Sequence, residues 1–229
     1  MVDALVVVCG GVVPPTPPQT VEVVSVPARP GRQDVDSLLD RIGGRRLVVT
    51  GTDADLAAVV LRLLRTERLD DVPVGFVPAS TVAASAAAEV FGLPARPEQA
   101  LRLALHGDID PVPLIRDDAG GVLVGRGVLR RLRGVVYCDE ERVLRGAAPR
   151  LEVSPDPDAG RDTSVGGLLV RVWNGRLFRR GIGESSGRAV QIGCVANQPV
   201  SDGIEHERPV RRWTWYRHTV NLRLVRGLT

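Results

Sequence analysis

Lysine is missing altogether: all 30 basic residues of the 229-residue chain are arginine. That excludes mechanisms that need a lysine, such as a Schiff base or the lysine of a Walker A loop. Aromatics are scarce at 3%, so each of the 3 Trp and 2 Tyr calls for a reason, and Trp213, Trp215 and Tyr216 cluster near the C-terminus. Cysteine is limited to Cys9, Cys138 and Cys194, widely spaced and without a C-x-x-C pair. Neither a disulfide framework nor a zinc site is expected from them, only buried thiols. His106, His206 and His218 lack metal-ligand spacing, Asp139-Glu140-Glu141 and Asp156, Asp158 and Asp162 do not fit a calcium loop, and no metal site is expected. No apolar run is long enough to span a bilayer and no basic n-region opens the chain, so a cytoplasmic location is expected. A formal charge of +3 and a pI near 9.1 are mild for this length and disfavour a nucleic-acid partner.

What is present is a hydrophobic content of 44%, enough for a sizeable core. The continuous apolar run Ala4 to Val8, ending in Cys9-Gly10-Gly11, reads as a strand buried on both faces. After the Pro-rich stretch Pro14 to Pro18, a strand is expected over Val21 to Val26, a helix over Asp34 to Ile42 and a strand at Leu47 to Val49. Leu56, Val59, Val60, Leu63 and Leu64 recur at helical spacing in a helix over Asp53 to Leu69 that starts directly after a Gly51 turn. A strand at Val72 to Val77 and helices at Thr81 to Phe91 and Pro97 to Leu105 complete an α/β, doubly wound parallel sheet.

Beyond Gly107, turn signals every eight to twelve residues replace helical periodicity. Strands are expected at Val122 to Val124, Gly134 to Cys138, Leu168 to Trp173, Arg188 to Ile192 and, as one long strand, Trp213 to Val225, with an acidic loop at Ser154 to Ser164. The expected division is an α/β lobe over 1–115 and a mostly antiparallel, β-sandwich-like domain over 116–229.

Two strand-to-helix turns fall at the carboxyl ends of strands, where open α/β sheets bind ligands. They are Thr50-Gly51-Thr52-Asp53-Ala54-Asp55 and Pro78-Ala79-Ser80-Thr81, the second running on to Phe91-Gly92-Leu93-Pro94. Together they resemble the diacylglycerol kinase catalytic family, in which a GGDGT loop and later a PxGTxN loop each lead into a helix, followed by a G-[LI]-P stop. The passage from Glu98 to Leu114, with His106-Gly107-Asp108-Ile109-Asp110, is similar to the family's next segment, and Pro199-Val200-Ser201-Asp202-Gly203 to its D-G-E segment. Nothing matches between about Gly125 and Arg180.

This resemblance implies an NAD kinase-like fold and, for an active member, ATP with Mg²⁺ and phosphoryl transfer to a lipid or other small hydroxyl. Gly51, Thr52 and Asp53 would serve the nucleotide, Ser80 and Thr81 the phosphates, and Asp202 or Glu205 the general base. The glycines have largely gone: Thr52 and Ala54 stand at glycine positions, Asp55 at the threonine, Ser80 and Val82 at the two glycines of GTG, and Ile204 at the glutamate. Asp55 puts a carboxylate at a helix N-terminus, where phosphate would otherwise bind. The expected function is a diverged lipid kinase-like protein with phosphoryl transfer weakened or lost.

Each residue also has a structural reading. Asp53, Ser80 and Thr81 are good helix caps, and Asp202-Gly203 is a common hairpin turn. Arg208 to His218 interleaves arginine with aromatics, which suits either a structural strand or contact with a membrane surface or nucleic-acid strand. The alternative function is therefore a non-catalytic binding or scaffolding protein, acting through an interdomain cleft or this Arg/Trp strand.

Overall fold

The computed structural model describes residues 3–79, 84–159, 162, 164, 166–176 and 179–227. They form two compact units, Met1–Val112 with Val220–Thr229, and Pro113–Thr219.

The first unit begins with β1 (Ala4–Cys9), β2 (Glu22–Val26), α1 (Arg32–Leu39), β3 (Arg46–Gly51) and α2 (Asp53–Arg65). It continues with β4 (Val74–Pro78), α3 (Ala86–Phe91), α4 (Pro97–His106) and β5 (Asp108–Ile109). The four longer strands make a parallel sheet in the order β2-β1-β3-β4. Every residue of β1 is buried, as its unbroken apolar run requires of a central strand covered on both faces. One face packs Val6, Val8, Val48 and Val77 against Ala100, Leu101, Ala104 and Leu105 of α4. Gly75 permits the close approach, because a Cβ there would lie 2.6 Å from the Ala104 Cβ. The chain leaves β1 for β2 on one side and returns to β3 on the other. The strand order thus reverses at β1, and the ligand crevice of such a sheet lies off the carboxyl ends of β1 and β3.

The helix expected from Thr81 begins instead at Ala86, with Ser85 as its N-cap. Ser80 and Thr81 fall outside the described residues. Gly92 closes α3 in the left-handed region at φ +66°, where a side chain would cost about 1 kcal/mol.

The second unit contains β6 (Ile115–Asp117), β7 (Val122–Leu123), β8 (Gly127–Cys138), β9 (Glu141–Pro155), β10 (Leu168–Arg176) and β11 (Arg179–Gly187). It ends with β12 (Ala189–Asn197), β13 (Val200–Ser201), β14 (Ile204–Glu205) and β15 (Val210–Arg217). They form one antiparallel sheet in the order β11-β10-β9-β8-β12-β15-β6-β7, with β13 pairing with β8 and β14. Its inner face holds Leu129, Val136, Leu151, Val153, Val170, Val190, Ile192, Trp213 and Trp215.

Two expectations are corrected. The strand expected over Trp213 to Val225 is two strands: β15 stops at Arg217, and β16 (Val225–Gly227) pairs with β5. The alternating Leu222 and Leu224 bridge to Val112 and Val74 and so serve the first unit's core, which gathers residues 220–229 away from the 116–229 domain. The acidic loop expected from Ser154 begins later, because β9 runs through Pro155.

Candidate functional site

At the switch point, β1 ends in Gly10 and Gly11, both at positive φ (+64° and +69°). Gly10 donates its N–H to the Val26 carbonyl at 3.1 Å. β3 ends in Gly51, and α2 starts two residues later with Thr52 as its N-cap. Thr52-x-x-Asp55 closes a reciprocal capping box: Thr52 Oγ1 accepts from the Asp55 amide at 3.3 Å, and Asp55 Oδ2 accepts from the Thr52 amide at 2.8 Å.

Asp55 does more than close the box. Its Oδ2 also accepts from Thr52 Oγ1 at 2.8 Å, and its Oδ1 accepts from the Arg29 amide at 2.6 Å. The residue is only 2% exposed. A Cβ added to Gly51 would stand 2.6 Å from Asp55 Oδ2, so the carboxylate lies directly over the glycine that ends β3. The N-terminus of α2 thus holds an anion supplied by its own first turn. Beside it, burial first and Asp55 second push the Cys9 thiol up to about 12, so it stays protonated and poorly nucleophilic at neutral pH.

Asp53 treats α3 in the same way. One of its oxygens accepts from Ser85 Oγ, and the other accepts from the amides of Ala86 at 2.7 Å and Ala87 at 3.2 Å. Ser85 Oγ accepts from Ala88 N at 2.9 Å. Two helix starts in one unit are thereby satisfied by carboxylates 2 positions apart in the sequence. Ser85 and Arg29 were not legible as site residues, since Ser85 sits four residues after the matched turn and Arg29 contributes only its backbone. The Thr-x-x-Asp pattern was the one available signal.

In the second unit, Asp202 is 7% exposed and holds φ +50°. Its carboxylate accepts three backbone amides, from Val124 at 2.9 Å, Gly125 at 2.7 Å and Arg126 at 3.0 Å. Its own amide donates to the Arg126 carbonyl at 3.0 Å. Glu205 lies exposed in β14 opposite Val200. The Arg/Trp strand sorts by face: Trp213 and Trp215 are 4% and 0% exposed in the core, while Arg212, Thr214 and Tyr216 turn outward. His206 meets the edge of Trp213 at 4.9 Å between ring centroids.

No protein-family model matches the sequence, and no curated protein matches it. Solved structures do match the fold over nearly the whole chain. A diacylglycerol kinase from Bacillus anthracis str. Sterne aligns with a TM-score of 0.66 at 10% identity, covering 98% of this chain and 97% of that one. An NAD kinase from Archaeoglobus fulgidus in complex with ATP gives 0.55 at 15% identity over 98% and 94%. Yeast NADH kinase complexed with NADH gives 0.51 at 14% identity over 99% and 84%. The parallel four-stranded sheet followed by a curled antiparallel sheet is the two-domain fold of the diacylglycerol kinase and NAD kinase structures.

Proposed function

We propose that the chain is a diverged diacylglycerol kinase-like protein in which phosphoryl transfer from ATP to a lipid or other small hydroxyl is weakened or lost. The observation that carries this reading is the Asp55 carboxylate seated on Arg29 N, Thr52 N and Thr52 Oγ1. A phosphate oxygen at the start of α2 would compete for those donors and meet a like charge beside them. Removing one preorganised donor typically costs about 3–4 kcal/mol of transition-state stabilisation, and here several are committed at once. Asp53 is similarly committed, to Ser85 and the first amides of α3. ATP with Mg²⁺ therefore does not fit the described starts of these two helices. Asp202 makes a poor general base, because both of its oxygens already accept backbone amides.

Gly51, Thr52 and Asp53 still lie at the sheet's switch point, and the structures of similar fold include complexes with ATP and NADH. A nucleotide-class ligand held mainly through its base and sugar is consistent with that position, and Ser80 and Thr81 remain candidates for contacting it.

The test is thermal unfolding of the purified protein with and without millimolar Mg-ATP, run beside a radiolabelled-ATP assay on diacylglycerol vesicles. A ligand at a hundred times its Kd stabilises by about 2.7 kcal/mol, so a binder is visible even without turnover. Labelled lipid should form only in traces or not at all. Ordinary turnover onto any hydroxyl acceptor would overturn the proposal.

A further inference from the structure

The overall charge of +3 conceals a segregation: between 113 and 219 there are 18 arginines and 13 acidic residues, which leaves the first unit net acidic. Within the second unit the register concentrates several of these arginines on one face of the sheet. One rung runs across four strands as Thr214, Gln191, Tyr137 and Arg142. The next runs as Arg212, Gly193, Val135 and Arg145. Further along the same face, Arg116 opposes Tyr216 and holds its guanidinium over that ring at 5.9 Å from the centroid. Arg133 lies two residues before Val135, opposite Ala147. This face is the outward one, because the alternate positions Val136, Val190, Ile192, Trp213 and Trp215 fill the core.

Five arginines thus share a surface with two tyrosines, and none of the five is in an ion pair with a carboxylate among the described residues. Gly193 has no side chain at the centre. The rungs enclose a shallow groove of about 300 Å³ lined by Tyr137, Gln191, Arg212 and Thr214. Tyr137 is 41% exposed at its wall. Arg212 and Arg145 bracket the groove three strand spacings apart, about 14 Å between backbones.

We infer that this outward face of β6, β15, β12, β8 and β9 binds single-stranded nucleic acid. Charge complementarity demands an anionic partner, and arginine is the cation that both grips phosphate bidentately and stacks on planar rings. Exposed Tyr137 gives bases a π-face to stack on, and Gln191 and Thr214 offer hydrogen bonds to base edges between the charges. A lipid surface fits less well, since membrane docking rests on buried apolar area and the aliphatic member of these two rungs is Val135 alone. A duplex fits less well too, because paired bases cannot lie flat on Tyr137. The mild pI misleads here because the acidic first unit offsets the basic second one.

The test is fluorescence anisotropy of full-length protein with a labelled, mixed-sequence single strand of about twelve nucleotides, beside the matching duplex and phosphatidylglycerol vesicles. If three arginines reach phosphates, affinity should fall roughly twenty-fold between about 50 and 200 mM salt. Arg142→Glu with Arg212→Glu should weaken binding at least tenfold with the unfolding midpoint unchanged. Tyr137→Ala should weaken it about fivefold to tenfold while leaving the salt slope intact, which separates stacking from charge. Arg32→Glu in α1, as a control, should bind as wild type. The inference fails if single strands do not bind at about 50 mM salt, if the double glutamate variant binds normally, or if duplex or vesicles bind as tightly as the single strand.

Discussion

The backbone amide of Arg29 donates to Asp55 Oδ1 at 2.6 Å across 26 positions of the chain, with Arg29 held at φ +50°. This bond ties the loop after β2 to the first turn of α2. It places a protein anion off the ends of β1 and β3, at the switch point of the sheet. The Arg29 and Thr52 amides at this helix start donate to a carboxylate of the chain itself.

Asp55→Ala should destabilise the protein by about 2–4 kcal/mol, since it strips the acceptor from two backbone amides and removes the charge from a helix start. Asp55→Asn, which keeps one oxygen, should lose about half of that. Urea unfolding of the three proteins checks the order, and equal midpoints would mean that water replaces the carboxylate without cost.

Asp202 yields a prediction that separates structure from catalysis. Asp202→Ala should cost about 3 kcal/mol, because the amides of 124–126 lose a shared acceptor. Asp202→Asn should cost about 1 kcal/mol, as asparagine tolerates the left-handed φ of +50° and keeps one acceptor. A residue serving only as a base would leave stability untouched in both variants.

Gly127 lies beneath Trp215, with an added Cβ meeting the indole Cζ2 at 2.7 Å. Gly127→Ala should therefore overpack the second unit's core, costing about 1–3 kcal/mol, with a shift in tryptophan emission. Unchanged fluorescence and stability would show that the ring gives way freely.

His218 sits half-buried, and burial first and Arg116 second hold its imidazole below the ordinary value of 6.5. The fold therefore favours the neutral ring, and its contribution is complete above the unfolded value. It is lost as pH falls through about 6.5 towards the lower folded value, because the unfolded chain takes up the proton first. Urea midpoints at about pH 7.5 and 5.5 should differ more for wild type than for His218→Gln, which has no imidazole to titrate. Equal differences would remove His218 from the pH dependence.

Much of the first unit was readable because local pattern and tertiary role agree there. The all-apolar run of β1 is a buried parallel strand, and the i, i+3, i+4 stripe of α2 faces the sheet. The second unit was less readable where the backbone departs from simple alternation. β9 carries Gly146 at φ +123°, its ladder with β8 shifts register between Val136 and Tyr137, and it was missed entirely. β11, with three glycines and few apolar residues, offered no pattern either.

By itself the sequence determined the alternation of strand and helix up to residue 107, the start of a helix directly after Gly51 and the kinase-like order of its turns, because each is written within a few neighbouring residues. Only the tertiary structure decided what those turns hold. Arg29 reaches Asp55, Asp53 reaches Ser85, and Asp202 gathers the amides of 124–126 across separations of 26, 32 and 76–78 positions. Strand register likewise decided that Trp213 and Trp215 turn inward while five arginines and two tyrosines share the outer face. Partners this distant are chosen by packing and hydrogen-bond satisfaction throughout the fold, and no local periodicity encodes them.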